Sequence, residues 1–293
     1  MKNFFIALGV SILFTGDILL DRGVRPYLDR GGISRVIPDE TADFLRSADI
    51  VVGNLECPAT SIEAPAFKRF VFRTEPRWLD SLRAYGFTHL NLANNHSVDQ
   101  GRNGLRDTRQ NIVEAGLVPI GADSTMAAAS QAVLLASSPR KVWLLASNRL
   151  PLESFAYLPD RESVSQEPFD TLLHRVKTLK NADSTAVVIV SLHWGAEHTL
   201  KPVPPQQLEA HALIDAGADA IVGHHTHTLQ TIEKYREKPI YYSIGNFIFD
   251  QDKPLNTQAC VVRFFVTESG VEAETIPIEI KNCAPIIQKS RKI

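Results

Sequence analysis

Three histidines fall within four positions in "AIVGHHTHTLQ" (220–230), directly behind an apolar run. Imidazoles this dense at a strand end suit borderline divalent metals, which take nitrogen and carboxylate oxygen together. The rest of the chain supplies partners: Asp17, Asn54 with Glu56, Asn94 with Asn95 and His96, His193, and then His224, His225 and His227. Two adjacent ions need about six to eight protein ligands, one of them an oxygen group able to bridge. This set is large enough. Sulfur is excluded, because Cys57, Cys260 and Cys283 are an odd number without CxxC spacing, which argues against a disulfide framework and a zinc-thiolate site.

If the chain stays extended beyond Gly223, its side chains alternate, so His225 and His227 share one side and His224 takes the other. His225 and His227 are then the pair that reaches metal, one ion each, with His224 packed behind them. A turn directly after Gly223 would exchange these roles. Each residue also has a plainer reading on its own. Asp17 behind a glycine would cap a helix, "NN" in "LANNHS" would be a turn with left-handed asparagines, and a lone His193 would be a hydrogen-bonded core residue. Their coincidence at the same end of consecutive strands argues for one shared site. His89, His174, His198 and His211 fall away from strand ends and read as structural.

Six short apolar runs rich in β-branched residues must position these donors: "VSILFTGD", "ADIVVGNLE", "THLNLANNH", "AVVIVSLHWG", "ADAIVGHHTH" and "IYYSIGNF". Runs of this kind belong to strands covered on both faces. Between several of them, "DETADFLRSA", "EPRWLDSLRAYG", "GLRDTRQNIVEAG", "FDTLLHRVKTLKN" and "PPQQLEAHALIDAG" show helical spacing, several closing on glycine or asparagine as helix ends do. The alternation predicts a largely parallel α/β sheet with its ligand crevice beyond the carboxyl ends of the strands. The tail after Cys260, "CVVRFFVTESGVEAETIPIEI", alternates with period two around Glu-Ser-Gly and predicts an antiparallel hairpin at about 258–281, at the sheet edge or on a second sheet. It completes one domain, 1–293, whose motif-bearing core is about 11–250.

Composition narrows the function classes. The 293 residues carry 31 basic and 33 acidic side chains, scattered, for a net charge of −2. There is no electrostatic footprint of a nucleic-acid binder, so nucleic acid is not expected as a partner. "MKNFFIALGVSILFTGD" has the charge and apolar run of a secretory signal, yet it is too short for a membrane span and reads as the first strand. The chain as it stands reads as cytoplasmic; trimmed from an exported precursor it would belong to the cell envelope.

"TGD", "GNLE", "ANNHSVD", "LHWGAEH", "GHHTHTLQ" and "YSIGNFIFD", in this order over roughly residues 11–250, resemble the CapA-type poly-γ-glutamate capsule synthesis proteins, a branch of the calcineurin-like metallophosphoesterases. The resemblance implies a four-layer α/β/β/α sandwich of the metallophosphoesterase type with one or two divalent ions (Mn, Fe or Zn) at its strand ends. It makes Asp17 the opening carboxylate ligand and places Glu56 or Asn54 in the bridging region. Asn95 becomes the amide ligand and His96 the group that protonates a leaving oxygen. His193 and His225 complete the second ion, and His227 returns to the first. Two departures stand out: Leu19 replaces the superfamily's histidine two places after the aspartate, and Gly53-Asn54 replaces glycine-aspartate. These weaken one ion position unless Glu56 bridges.

The implied activity is metal-dependent hydrolysis linked to capsule synthesis, a metal-activated water attacking a phosphoester while His96 donates a proton. Arg73, in "FKRFVFRTEP", is a candidate clamp for an anion. Trp194 and Glu197 follow His193 and would line the rim, and Asn246 would face the crevice. A non-hydrolytic component of capsule assembly or export, binding a polyanion such as poly-γ-glutamate in the same crevice, is the alternative that Leu19 and Asn54 favour. The intact Asn95-His96 pair favours an enzyme, and hydrolysis of a γ-glutamyl amide is a third reading. The implied partners are an anionic small molecule or polyanion and membrane-associated capsule machinery.

Overall fold

The computed structural model describes residues 9–158 and 160–288. Segment 1–8, on which the signal-or-strand question also falls, lies outside the described residues; the strand itself runs Val10–Ile18. Two sheets lie face to face. The first has the order Ala284–Ile287, Val271–Lys281, Gln258–Val266, Val10–Ile18, Ile50–Leu55, His89–Asn91, Val118–Ile120, with Asn246–Ile248 also paired to Val10–Ile18. The second has the order Ile232–Tyr235, Lys238–Tyr241, Ala220–His224, Val187–His193, Val142–Asn148, Val133–Ala136. The central strands within each sheet are parallel.

Alternation along the strands builds three apolar layers. Ile12 and Phe14 meet Val187, Ile189 and Val222 between the sheets. Leu13, Val51 and Leu90 face outward onto Leu45, Leu79, Leu82 and Leu105, which belong to helices Asp39–Arg46, Arg77–Ala84 and Gly101–Glu114. On the far side Val188, Val190 and Ile221 pack on Leu172, Val176 and Leu213 of Phe169–Ala182 and Pro204–Asp215. Helix, sheet, sheet, helix is the sandwich that the resemblance implied. The single parallel sheet that the run pattern predicts is in fact two. A strand buried on both faces reads the same whether its cover is a helix or another sheet.

The sixth run also divides. Lys238–Tyr241 lies in the second sheet, and Asn246–Ile248 crosses to pair with Asp17 and Ile18 in the first. The crossing is close: a Cβ on Gly16 would sit 2.1 Å from the Gly245 carbonyl oxygen, so only glycine fits. The C-terminal hairpin pairs antiparallel with Val10–Ile18, and Ala284–Ile287 closes the edge beyond it. Among the described residues no helix is long and apolar enough to cross a membrane.

Candidate metal centre

At the carboxyl ends of the central strands the layer between the sheets turns from apolar to polar. Val52 is followed on the same face by Asn54, Ile189 by Ser191 and His193, and Val222 by His224, as period two requires. Asp17 joins them through an irregularity. Phe14 pairs with Val52 but Asp17 with Asn54, so the first strand carries one extra residue, and this bulge turns Asp17 onto the inward face. Glu56 follows the second strand, its amide bound to the Ile18 carbonyl at 2.9 Å.

Two groups of donors result. The ligand atoms of Asp17, Glu56 and His227 lie within 4.8 Å of one another, and so do those of Glu56, His193 and His225. Glu56 is common to both. The carboxylates come from the first sheet and the imidazoles from the second or the turn behind it. Asn95 Oδ1 meets His193 Nε2 at 2.8 Å, which brings the amide to the second group. Asn54 stands behind the donors: its Nδ2 donates to Asp17 Oδ1 at 2.8 Å, and its Oδ1 accepts from Asn91 and Asn94, each at 3.3 Å. Leu19 is buried in the helix-facing core and supplies no donor.

The extended path predicted beyond Gly223 does not form. The strand ends at His224, and His225 and His227 have φ of 91° and 55°, a region that costs a non-glycine residue about 1–3 kcal/mol. Contacts hold the turn: His225 N to Asp17 Oδ2 at 3.3 Å, Asn256 Nδ2 to the His227 carbonyl at 2.9 Å, and Thr226 Oγ1 to the Thr228 carbonyl at 3.1 Å. The two rings diverge, His225 to His193 with centroids 5.0 Å apart and His227 to Asp17 at 3.3 Å. His224 is not merely packed behind them; its Nδ1 lies 3.3 Å from Asp17 Oδ1. Gly223 permits this, since a Cβ there would sit 1.9 Å from the Tyr242 carbonyl oxygen.

The electrostatics describe a pocket short of positive charge. Both oxygens of Glu56 are buried without a hydrogen-bond partner. Desolvation, and then the charge of Asp17, push its carboxyl well above the usual range. Burial would raise Asp17 too, but the His224 and His227 imidazoles, each with Nδ1 3.3 Å from one of its oxygens, hold it well below its ordinary value. Against its own desolvation, His227 is pulled up to about 9 by Glu56 and Asp17, whereas burial pushes His225 down to about 3 and His193 well below its ordinary value. His193 and His225, held neutral beside crowded carboxylates, are in the state that metal binding requires, and His227 would give up its proton to an ion. The donor set therefore fits divalent ions.

His96 stands beside the groups in the turn after His89–Asn91. Its Nδ1 lies 2.8 Å from Asp99 Oδ2, and Phe72 stacks on its ring at 4.1 Å. Burial lowers its pKa, with Asp99 opposing. Asn246 is buried and meets His227 Nδ1 with its Oδ1 at 2.9 Å, an amide that fixes the ring. Glu197 is exposed on the rim, 3.8 Å from His198 Nε2. Trp194 points away and donates to the Tyr242 carbonyl at 2.9 Å. Arg73 does not join the donors: its guanidinium pairs with Glu63 at 2.8 Å and donates to the Thr60 carbonyl at 3.3 Å. The cation from that stretch that reaches the site is Lys68, 3.0 Å from the Asn95 carbonyl. Lys68, Asp99 and Asn256 also belong to the site and are not among the candidate donors of the sequence. A carboxylate three places after His96 in "NNHSVD" could have flagged Asp99; Lys68 and Asn256 carry no local signal.

Residues 11–251 match the family profile described as "Bacterial capsule synthesis protein PGA_cap". The chain is similar to the "Capsule biosynthesis protein CapA" of Bacillus anthracis, 31% identical over 287 residues covering 94% of this chain and 69% of that protein. It is also 31% identical over 283 residues to the "PGA biosynthesis protein CapA" of Bacillus subtilis (strain 168), covering 94% and 73%. Among solved structures, the NAD nucleotidase NadN of Haemophilus influenzae superposes with a TM-score of 0.54 at 12% identity, over 97% of this chain and 60% of that one. The chain thus spans about 60% of that protein's length, and the likeness is one of fold. With a family match over most of its length and two relatives above 30% identity, this chain belongs to the bacterial capsule synthesis family PGA_cap and carries it on a metallophosphoesterase-type sandwich.

Proposed function

We propose that the protein is a metal-dependent phosphoester hydrolase serving capsule or poly-γ-glutamate synthesis. The observation that carries this reading is Glu56, a fully buried carboxylate with no hydrogen-bond partner, common to two three-donor groups. Asp17, Glu56 and His227 would hold one divalent ion, and Glu56, His193, His225 and Asn95 the other. Ions bound there would lower the pKa of a water toward 7 and neutralise phosphoryl oxygens. The chain's own groups do the rest. Asn246 keeps His227 oriented by accepting from its Nδ1. His96 keeps Nδ1 on Asp99, which leaves Nε2 free; its imidazolium form, which Asp99 favours against the opposing effect of burial, would pass the Nε2 proton to the leaving alkoxide as the P–O bond breaks. The capsule and PGA biosynthesis roles in the relatives' names supply the setting, and an anionic polymer or its phosphorylated precursor is the substrate class in keeping with it.

Elemental analysis of purified protein, with turnover of an aryl phosphate in added Mn²⁺, tests the reading. His96→Ala is expected to lose about 10²–10⁴-fold in kcat at unchanged metal content. Leu19, buried in the core instead of offering an imidazole, favours a second reading, polyanion binding without hydrolysis. Full metal occupancy without turnover would select it.

A further inference from the structure

Within "FKRFVFRTEP" (67–76), Phe67 and Phe70 are 94% and 48% exposed, but the Lys68 side chain between them turns inward and is only 3% exposed. Its Nζ lies 2.5 Å from Asp99 Oδ1, donates to the Asn95 carbonyl at 3.0 Å and sits 3.4 Å from His96 Nδ1. Asp99 is wholly buried, and its other oxygen accepts from Phe72 N at 2.7 Å while facing His96 Nδ1 at 2.8 Å. The loop is stitched to the same residue by Ala66 N on the Asp99 carbonyl at 2.8 Å. Removing a lysine this far from water is costly unless its partner also needs it. Among the described residues no other lysine or arginine pairs with Asp99.

We infer that Lys68 is a positioning residue for the His96 and Asn95 pair. By holding Asp99 Oδ1 it leaves Oδ2 on His96 Nδ1. By holding the Asn95 carbonyl it keeps that residue's amide against His193 Nε2, 2.8 Å away. One ammonium from a loop 27 and 28 residues upstream of these two groups thus aligns both. The inference rests on the reading of His96 as proton donor, and two readouts separate it from that reading. In metal-free protein, the proton on His96 Nδ1 is followed as a downfield NMR resonance, assigned by its loss in His96→Gln. With Mn²⁺ and an aryl phosphate, kcat and KM are measured beside metal content and thermal melting.

Lys68→Met, or Lys68→Gln should the former not fold, is expected to abolish or shift the resonance. It should lower kcat about 10–100-fold with KM near wild type, and any fall in metal content should be confined to the ion that Asn95 would help hold. Lys68→Arg should restore part of both signals, and Arg69→Ala, which removes an exposed charge from the same loop, should change neither. An unaltered resonance in Lys68→Met and Lys68→Gln overturns the inference, as does a kcat that stays at the wild-type value in both. A wild type that never turns over refutes the hydrolase reading, and the resonance still decides the role of Lys68.

Discussion

Glu56→Gln keeps the shape of a fully buried side chain and removes its charge. In the metal-free protein the change removes no hydrogen bond and leaves Asp17 to support the raised His227; a loss of about 1 kcal/mol is expected. With metal the difference is large. An ion binding only the folded state stabilises it by about 2.7 kcal/mol at one hundred times its dissociation constant. At about 2–4 °C per kcal/mol for a chain of this order of size, that is a rise in Tm of about 5–11 °C per ion. Glu56 belongs to both donor groups, so Glu56→Gln should lose the rise for both ions, whereas His225→Ala should lose it for one. Differential scanning calorimetry with and without Mn²⁺, beside metal stoichiometry, reads this directly. A Glu56→Gln protein that keeps the wild-type rise would refute the shared-donor argument.

Asn246→Ala removes the acceptor on His227 Nδ1 and should weaken metal affinity about 10–100-fold, read by competition with a chelating dye. Gly223→Ala would place a Cβ 1.9 Å from the Tyr242 carbonyl oxygen and should cost about 3 kcal/mol or more in urea unfolding. At the other end of the sandwich, Asp219 accepts from Lys238 at 2.6 Å, Lys180 at 3.0 Å and Val188 N at 3.0 Å. Desolvation would raise its pKa, but these partners, Lys238 foremost, lower it. Its contribution is therefore complete above the ordinary carboxylate value of about 3.9 and is lost as pH falls through the lower folded value. Asp219→Asn should be about 2–3 kcal/mol less stable at neutral pH, and the gap should close as pH drops below about 4.

Much of the architecture was written in the runs themselves. The five helical stretches form helices, and the donors at the ends of "VSILFTGD", "AVVIVSLHWG" and "ADAIVGHHTH" come together because parallel strands present their carboxyl ends to one side. What a local pattern cannot carry is the identity of a partner surface. "IYYSIGNF" reads as one strand yet leaves one sheet and enters the other, since nothing in its residues names the neighbour across the crossing. Val142–Asn148 pairs with Val187–His193 but was not among the six runs. His225 and His227 do reach the donor groups, by a left-handed turn and not by the alternation that first paired them. Lys68 arrives from a loop whose aromatic neighbours face solvent, so only tertiary contact reveals it.

The division of donors between the two sheets has a mechanical side. Acids line one wall and imidazoles the other, so the cavity keeps its dimensions only while the walls stay in register, and a cation seated there works as a rivet through the sandwich. Chelation would then loosen the whole seam between the sheets, and a substitution far down that seam would be felt as a change in metal affinity.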